Sequence, residues 1–291
     1  FVHLQCQSEY SVKNSLVRVS KLIESVKEAG MNSIALTDDM SLFSAIKFYQ
    51  KATSAGIKPI IGAKVSIDFD LGHYDVLLLC QNHEGYLNLS ELISKAYLNE
   101  QGISIVSVTE EQLISHQEGL LMIATPISSD ISQFLLTNEL ELAHSKAKHW
   151  QAIFKDRYYI SAQRTDRHSD ENLLNLTIEL GLKLDIPVVA TNDVQFISKT
   201  DFDAHEARIC IAEGGLLDDS RRLKFFSDSQ YLKTPDEMSE LFKDYPQLIE
   251  NASEVAKRCN LHFKLFEKNY LPAFPTPKGK SIAEFFSEES N

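Results

Sequence analysis

Apolar positions in this chain switch repeatedly between helical spacing and short unbroken runs. Leu16, Val19, Leu22, Ile23 and Val26 share one helical face, and Gly30 supplies the stop. Ser33-Ile34-Ala35-Leu36-Thr37 then reads as a short buried strand ending at Asp38-Asp39. Leu42, Ala45, Ile46, Tyr49 and Ala52 predict a second helix closed by Gly56, and strands follow at residues 59–65 and 75–80. Residues 86–97 are helical in pattern, and residues 119–124 are strand-like. Leu140, Ala143, Ala147, Trp150 and Phe154 mark another helix, before a strand at 158–162, a helix at 171–184 and a strand at 187–192. Thr234-Pro235-Asp236-Glu237 is a helix start, with Thr as cap, Pro in the first turn and Glu at the third position.

Strand then helix, repeated about seven times, is the pattern of a parallel α/β fold. A closed barrel and an open doubly wound sheet both fit it. No Gly-x-Gly-x-x-Gly follows the early strands, so a dinucleotide-binding sheet has no support. A chain of 291 residues suits a single α/β barrel. Residues 271–279 are proline-rich and read as a linker, which limits the folded domain to residues 1–270 and leaves 271–291 as a connection to a further domain.

The hydrophobic share of 43% is that of a globular protein with a full core, and no apolar run reaches the roughly 20 residues of a membrane span. Cys6, Cys80, Cys210 and Cys259 are scattered without a Cys-x-x-Cys pair, which fits a reducing, cytoplasmic setting. A net charge of −12 argues against strong direct binding to nucleic acid. The densest basic runs are short, at residues 220–224 and 278–280.

Reactive groups of α/β barrels gather where strands end. Carboxylates stand at two such ends, Asp38-Asp39 and Asp193, either as metal ligands or as caps of the next turn. None of the nine histidines forms a His-x-His or His-x-x-x-His pair. His3 is expected to pack beside the first strand, and His205 to make a structural hydrogen bond. No Gly-x-Ser-x-Gly elbow is present. Asp38 and Asp39 are adjacent and point apart, so they cannot serve as a glycosidase pair.

Several stretches resemble the PHP (polymerase and histidinol phosphatase) domain that opens bacterial DNA polymerase III alpha subunits. They are Phe1 to Ser11, Ala35-Leu36-Thr37-Asp38, the run from Ala55 to Gly62, Gly85-Tyr86-Leu87-Asn88-Leu89, Val189 to Val194, and the closing Tyr270 to Pro275. The resemblance implies a distorted TIM-like barrel of seven β/α units. In metal-competent members of the family, His, Asp and Glu at the strand ends build a trinuclear site. Carried over position by position, that site is degenerate here. Gln5 and Gln7 stand for two histidines, Asn14 for an Asp, Asp39 for a His, Lys64 for a Glu, Tyr97 for a His and Gln195 for the last His, while Asp193 is kept.

A glutamine amide offers a neutral hard oxygen where a transition metal prefers an imidazole nitrogen. Lys64 has no acceptor at all, and at about 4 Å and an effective dielectric of 20 it would repel a unit positive charge by about 4 kcal/mol, and a divalent ion by roughly twice that. It is expected to pair with Asp39 or Asp193 instead. The resemblance therefore implies a non-catalytic scaffold that stabilises the polymerase and docks the proofreading exonuclease subunit. No metal or other cofactor is expected in this segment; Mg²⁺ belongs to the palm of the parent polymerase. The alternative is a surviving metal-dependent phosphoesterase, acting on pyrophosphate or a DNA 3′ end.

Overall fold

The computed structural model describes residues 1–69, 72–99, 105–217, 225–265, 267 and 274–290. Phe1–Leu261 and His262–Asn291 form two separate compact units. In the first, α1 (Val19–Glu28) leads to β1 (Ser33–Asp39), α2 (Ala45–Ser54), β2 (Lys58–Phe69), β3 (Gly72–Cys80) and α3 (His83–Asn99). There follow β4 (Val108–Thr109), α4 (Glu110–Ser115), β5 (Leu120–Ala124), α5 (Asp130–Leu136), α6 (Leu140–Phe154), β6 (Tyr158–Gln163), α7 (Asp170–Leu184) and β7 (Val188–Thr191). Helices α8 (Phe202–Glu213), α9 (Pro235–Leu241) and α10 (Pro246–Arg258) complete the unit. Among the described residues, no helix is long and apolar enough to cross a membrane.

The strands run in the order β1-β2-β3-β5-β6-β7, with the two-residue β4 beside the far end of β2. The amino-terminal segment joins the two edges of this path. His3 and Cys6 carbonyls accept from Ala35 and Thr37 of β1, at 2.9 and 2.8 Å. On the other side, Gln7 N donates to Val194 O and Val194 N to Gln5 O, both at 3.1 Å, just beyond β7. The sheet thereby curls into a distorted α/β barrel, with Phe1 to Gln7 as a member that pairs by a single bridge, Cys6 to Val194.

One part of the sequence reading needs correction. The sheet is mixed, because β3 runs antiparallel to both β2 and β5. Residues 59–65 and 75–80 are the inner parts of a long hairpin rather than successive β/α units. The apolar pattern of a buried strand carries no information on its direction.

Alternation along the strands sends Val2, Leu4, Ala35, Ile60, Leu77, Leu79, Leu121, Ile123, Tyr159 and Val189 into one core. Ala252, Val255, Ala256 and Cys259, from the buried face of α10 and the residue that ends it, close the bottom of that core. At the start of α9 the expected capping box is present: Thr234 accepts from Glu237 N, and Glu237 from Thr234 N. Gly85 and Gly119 meet so closely that a Cβ on Gly85 would lie 1.9 Å from the Gly119 carbonyl oxygen, which explains the glycine at the head of α3.

In the second unit, Ser281 caps α11 (Ile282–Glu289), none of whose residues is buried. The basic run 220–224, the expected domain limit at 270 and the motif residues 270–273 lie outside the described residues.

His3 is fully buried, and its Nε2 donates to the Lys233 carbonyl at 2.8 Å. Burial is the largest influence on the ring and lowers its pKa from 6.5 to about 4. The unfolded chain therefore takes up a proton that the folded chain refuses, so stability rises with pH across that interval. We expect the wild type to lose up to about 3 kcal/mol relative to a His3→Gln variant as pH falls from 6.5 to 4, read by urea unfolding. A difference that stays constant with pH would contradict this placement of the ring.

Candidate functional site

The alternation that fills the lower barrel with apolar side chains continues upward. Two or four residues beyond the core positions, the same inward register places Asp39, Lys64, Thr125, Gln163 and Asp193 at the mouth. Because β3 is antiparallel, its first half, which carries Asp75, arrives at this end too. Lys64, Asp75, Thr125, Gln163 and Asp193 line a cavity of about 660 Å³, together with Gln5, Gln7, Asn14, Arg167 and Gln195.

Asp39 and Lys64 are neighbours in the β1–β2 register, so pairing them requires no long reach. The Lys64 ammonium lies 3.6 Å from Asp39 Oδ1 and 3.4 Å from Asp75 Oδ2. Asp75 also accepts from Ser66 Oγ at 2.7 Å, and Asp39 from Asn14 Nδ2 at 3.2 Å. Burial by itself would lower the pKa of Lys64, but the carboxylates of Asp75, Asp39 and Asp193 outweigh it and hold the amine charged. Burial pushes the Asp39 carboxyl up, and Lys64 pulls it back only in part.

Asp193 occupies the left-handed region at φ 48°, which turns the chain sharply after β7 and aims the carboxylate inward. Its Oδ1 accepts from Gln5 Nε2 and from Gln195 Nε2, each at 2.8 Å. Oδ2 accepts from Gln230 Nε2 at 2.8 Å, and Arg167 Nη2 stands 3.9 Å away. Three amides thus bond to the carboxylate oxygens that a metal ion would use, and the Arg167 guanidinium adds a positive charge beside them. Lys64 pairs with Asp39 as expected, but its second partner is Asp75 rather than Asp193.

The other positions singled out in the sequence have separate placements. Gln7 lines the cavity, whereas Tyr97 is half exposed on α3 and is not among the lining residues. Asp38 faces away from the mouth and is fully buried, accepting from Ser8 N and from the hydroxyls of Ser8, Ser11 and Ser44. It serves as an anchor for two loops, not as a ligand. His205 Nε2 donates to the Asn14 carbonyl at 2.7 Å, and burial lowers its pKa. That is a structural bond holding the loop that carries Asn14.

Asp75, Gln163, Arg167 and Gln230 were not singled out in the sequence. Asp75 lies in the first half of β3, and only that strand's reversed direction brings it to the mouth. Arg167 and Gln230 come from loops whose approach to Asp193 depends on tertiary packing.

The trinuclear divalent site implied by the resemblance does not fit these donors. Among the described residues no three His, Cys, Asp or Glu side chains are grouped to hold a metal ion. The nearest carboxylates are bonded to Lys64 or to amides, and the ammonium sits where an incoming cation would be repelled.

The PHP domain model matches residues 3–165. Over all of its length the chain is 43% identical to the DNA polymerase III subunit alpha of Pseudomonas fluorescens, covering 25% of that protein. It is 39% identical to the Escherichia coli K12 subunit over 95% of the chain and 24% of the relative. The chain thus spans about a quarter of the length of the curated relatives it matches. An amidohydrolase from Chromobacterium violaceum superposes with a TM-score of 0.49 at 11% identity, covering 71% of this chain and 96% of that one.

Removing Lys64 leaves Asp39 and Asp75 without their shared cation. A Lys64→Met variant is expected to lose about 2–3 kcal/mol at pH 7, less than a fully buried pair because Asp39 keeps part of its exposure. The loss should shrink toward pH 4, where the carboxyls can take up protons. Urea unfolding at the two pH values checks this, and a variant as stable as wild type would contradict it.

Proposed function

The chain belongs to the PHP domain family, and from that premise we propose that it is a non-catalytic scaffold domain of a DNA polymerase III alpha subunit. In this reading it stabilises the polymerase and docks the proofreading exonuclease subunit. Template-directed synthesis, with its Mg²⁺, resides in parts of the polymerase beyond this chain. The observation that carries the non-catalytic reading is Lys64, held between Asp39 and Asp75.

A metal-dependent phosphoesterase uses its ions to lower the pKa of an attacking water and to clamp the phosphate. In this mouth the positive charges are the Lys64 ammonium, already engaged by two carboxylates, with Lys13 and Arg167, and none of them can bind water as a Lewis acid does. Asp193 already accepts hydrogen bonds from Gln5, Gln195 and Gln230, which stabilise its charged form and make it a weak base. The imidazole of His205 is turned toward the Asn14 backbone. These groups are arranged to hold strand ends together, and a barrel that closes on its own charges suits a support domain.

Docking of the exonuclease subunit rests on the resemblance to the polymerase alpha subunits. An interface of this kind would present an apolar centre with a polar rim. The test is calorimetric titration of the 291-residue chain with purified proofreading exonuclease subunit at low salt. A one-to-one complex with a dissociation constant of about 10 µM or tighter, near −7 kcal/mol, is the expected result. No heat and no co-migration at tens of micromolar would sink the docking role.

A further inference from the structure

At the end of the barrel opposite the mouth, where β7 begins, a cavity of about 500 Å³ opens beside Val188. Helix α7 and the turn after it bring Ile178, Leu182 and Ile186 to its lining, and the start of α10 brings Tyr245, Pro246 and Leu248. Its size and apolar lining are those of a binding groove, since gaps left by packing seldom exceed a water molecule. Leu182 stands 82% exposed at the groove, a large apolar side chain left to solvent. A Cβ on Gly181 would lie 2.7 Å from a Val188 methyl, so the glycine lets α7 lie tight against β7 beneath the groove.

Polar contacts fix the two walls relative to each other. Arg164 donates to Glu171 in the first turn of α7, to the Leu241 carbonyl that ends α9 and to Asp244 in the link to α10. Its guanidinium also lies over the rings of Phe242 and Tyr245, at 5.4 and 5.9 Å. Asn251 Nδ2 donates to the Val188 carbonyl at 2.8 Å and ties α10 to β7. A surface held in this way is preformed, and a partner binds it with little ordering cost.

Charge selects the occupant. The lining contains two carboxylates, Asp185 and Asp244, and no cationic side chain. Asp244 is paired with Arg164, whereas Asp185, exposed where α7 ends, has no ion-pair partner among the described residues. The lining amides Gln247 and Asn251 are bonded to each other at 3.2 Å, so a small polar ligand finds little to hold. The complement of this groove is a protein segment with apolar anchors and a positive charge beside them.

We propose that this groove is the docking surface for the proofreading exonuclease subunit, and that it takes a segment of that subunit in which apolar side chains stand next to Arg or Lys. The apolar anchors fill the groove, and the basic side chain meets Asp185 at its rim. This assignment rests on the docking role proposed above and adds the place and chemistry of the contact.

The experiment is calorimetric titration of the exonuclease subunit into the wild-type 291-residue chain and into its Leu182→Arg and Asp185→Asn variants. Leu182 is largely exposed, and Asn accepts the left-handed backbone found at residue 185, so both variants should melt within about 2 °C of wild type. Leu182→Arg is expected to weaken binding about tenfold or more. Asp185→Asn is expected to weaken it about threefold and to reduce its dependence on salt. Leu98→Arg, a change of the same kind on an exposed face of α3, should bind as wild type does. Wild-type affinity in both groove variants would overturn the groove and leave docking standing. No binding by the wild type would remove docking and this assignment together. Self-association of the chain alone that Leu182→Arg abolishes would give the groove to a second copy, and would also overturn the proposal.

Discussion

Closing a sheet into a barrel forces every second side chain of every strand into one interior, and the rest of this structure follows from how that interior is filled. Below, the inward positions are apolar and α10 plugs the end. Above, the inward positions are Asp39, Lys64, Asp75, Gln163 and Asp193, which can remain there only if their charges and hydrogen bonds are balanced. Lys64 supplies that balance for two carboxylates at once. Asp193 obtains it from amides brought in by the amino-terminal segment, by the turn after β7 and by the loop carrying Gln230. The polar network and the closure of the ring are therefore one feature: Gln5 reaches Asp193 only when the first residues lie against the last strand.

Such a network adds little net stability over an apolar filling, because desolvation offsets most of the attraction. Its cost appears when one partner is removed. Backbone geometry points the same way. Met40, Asp166 and Asp193, where the chain leaves β1, β6 and β7, all have positive φ, at 44°, 60° and 48°. Asp tolerates this region more readily than Met does. The strain at Met40 persists because its amide donates to the Lys64 carbonyl at 2.9 Å while Ser66 N donates to its sulfur, which fixes the turn beside Asp39.

The legible part of the fold was the part written in periodicity. Buried runs marked β1, β2, β5, β6 and β7, and the Thr234 cap marked α9, because strand burial and capping chemistry are local. The direction of β3 was not local, and with it went Asp75. Lys64 was singled out because the resemblance sets a Glu at its position and a lysine reverses that charge, while its pairing with Asp39 follows from the β1–β2 register. Arg167 and Gln230 lie far from Asp193 in sequence, on loops without a regular pattern, so nothing in their spacing pointed to the mouth. Tyr97 shows the opposite limit: its position came from resemblance alone, and the structure places it on an exposed face of α3.

The central claim is that internal charges hold this mouth where divalent ions would hold a metal-dependent relative. Thermal unfolding of the 291-residue chain in EDTA and in about 1 mM MnCl₂, at the same ionic strength, tests it most directly. The account predicts melting temperatures within about 1 °C of each other. Binding with a dissociation constant of about 10 µM would add about 2.7 kcal/mol of stability. A manganese-dependent rise of about 5 °C or more, as that energy implies for a domain of this size, would contradict it.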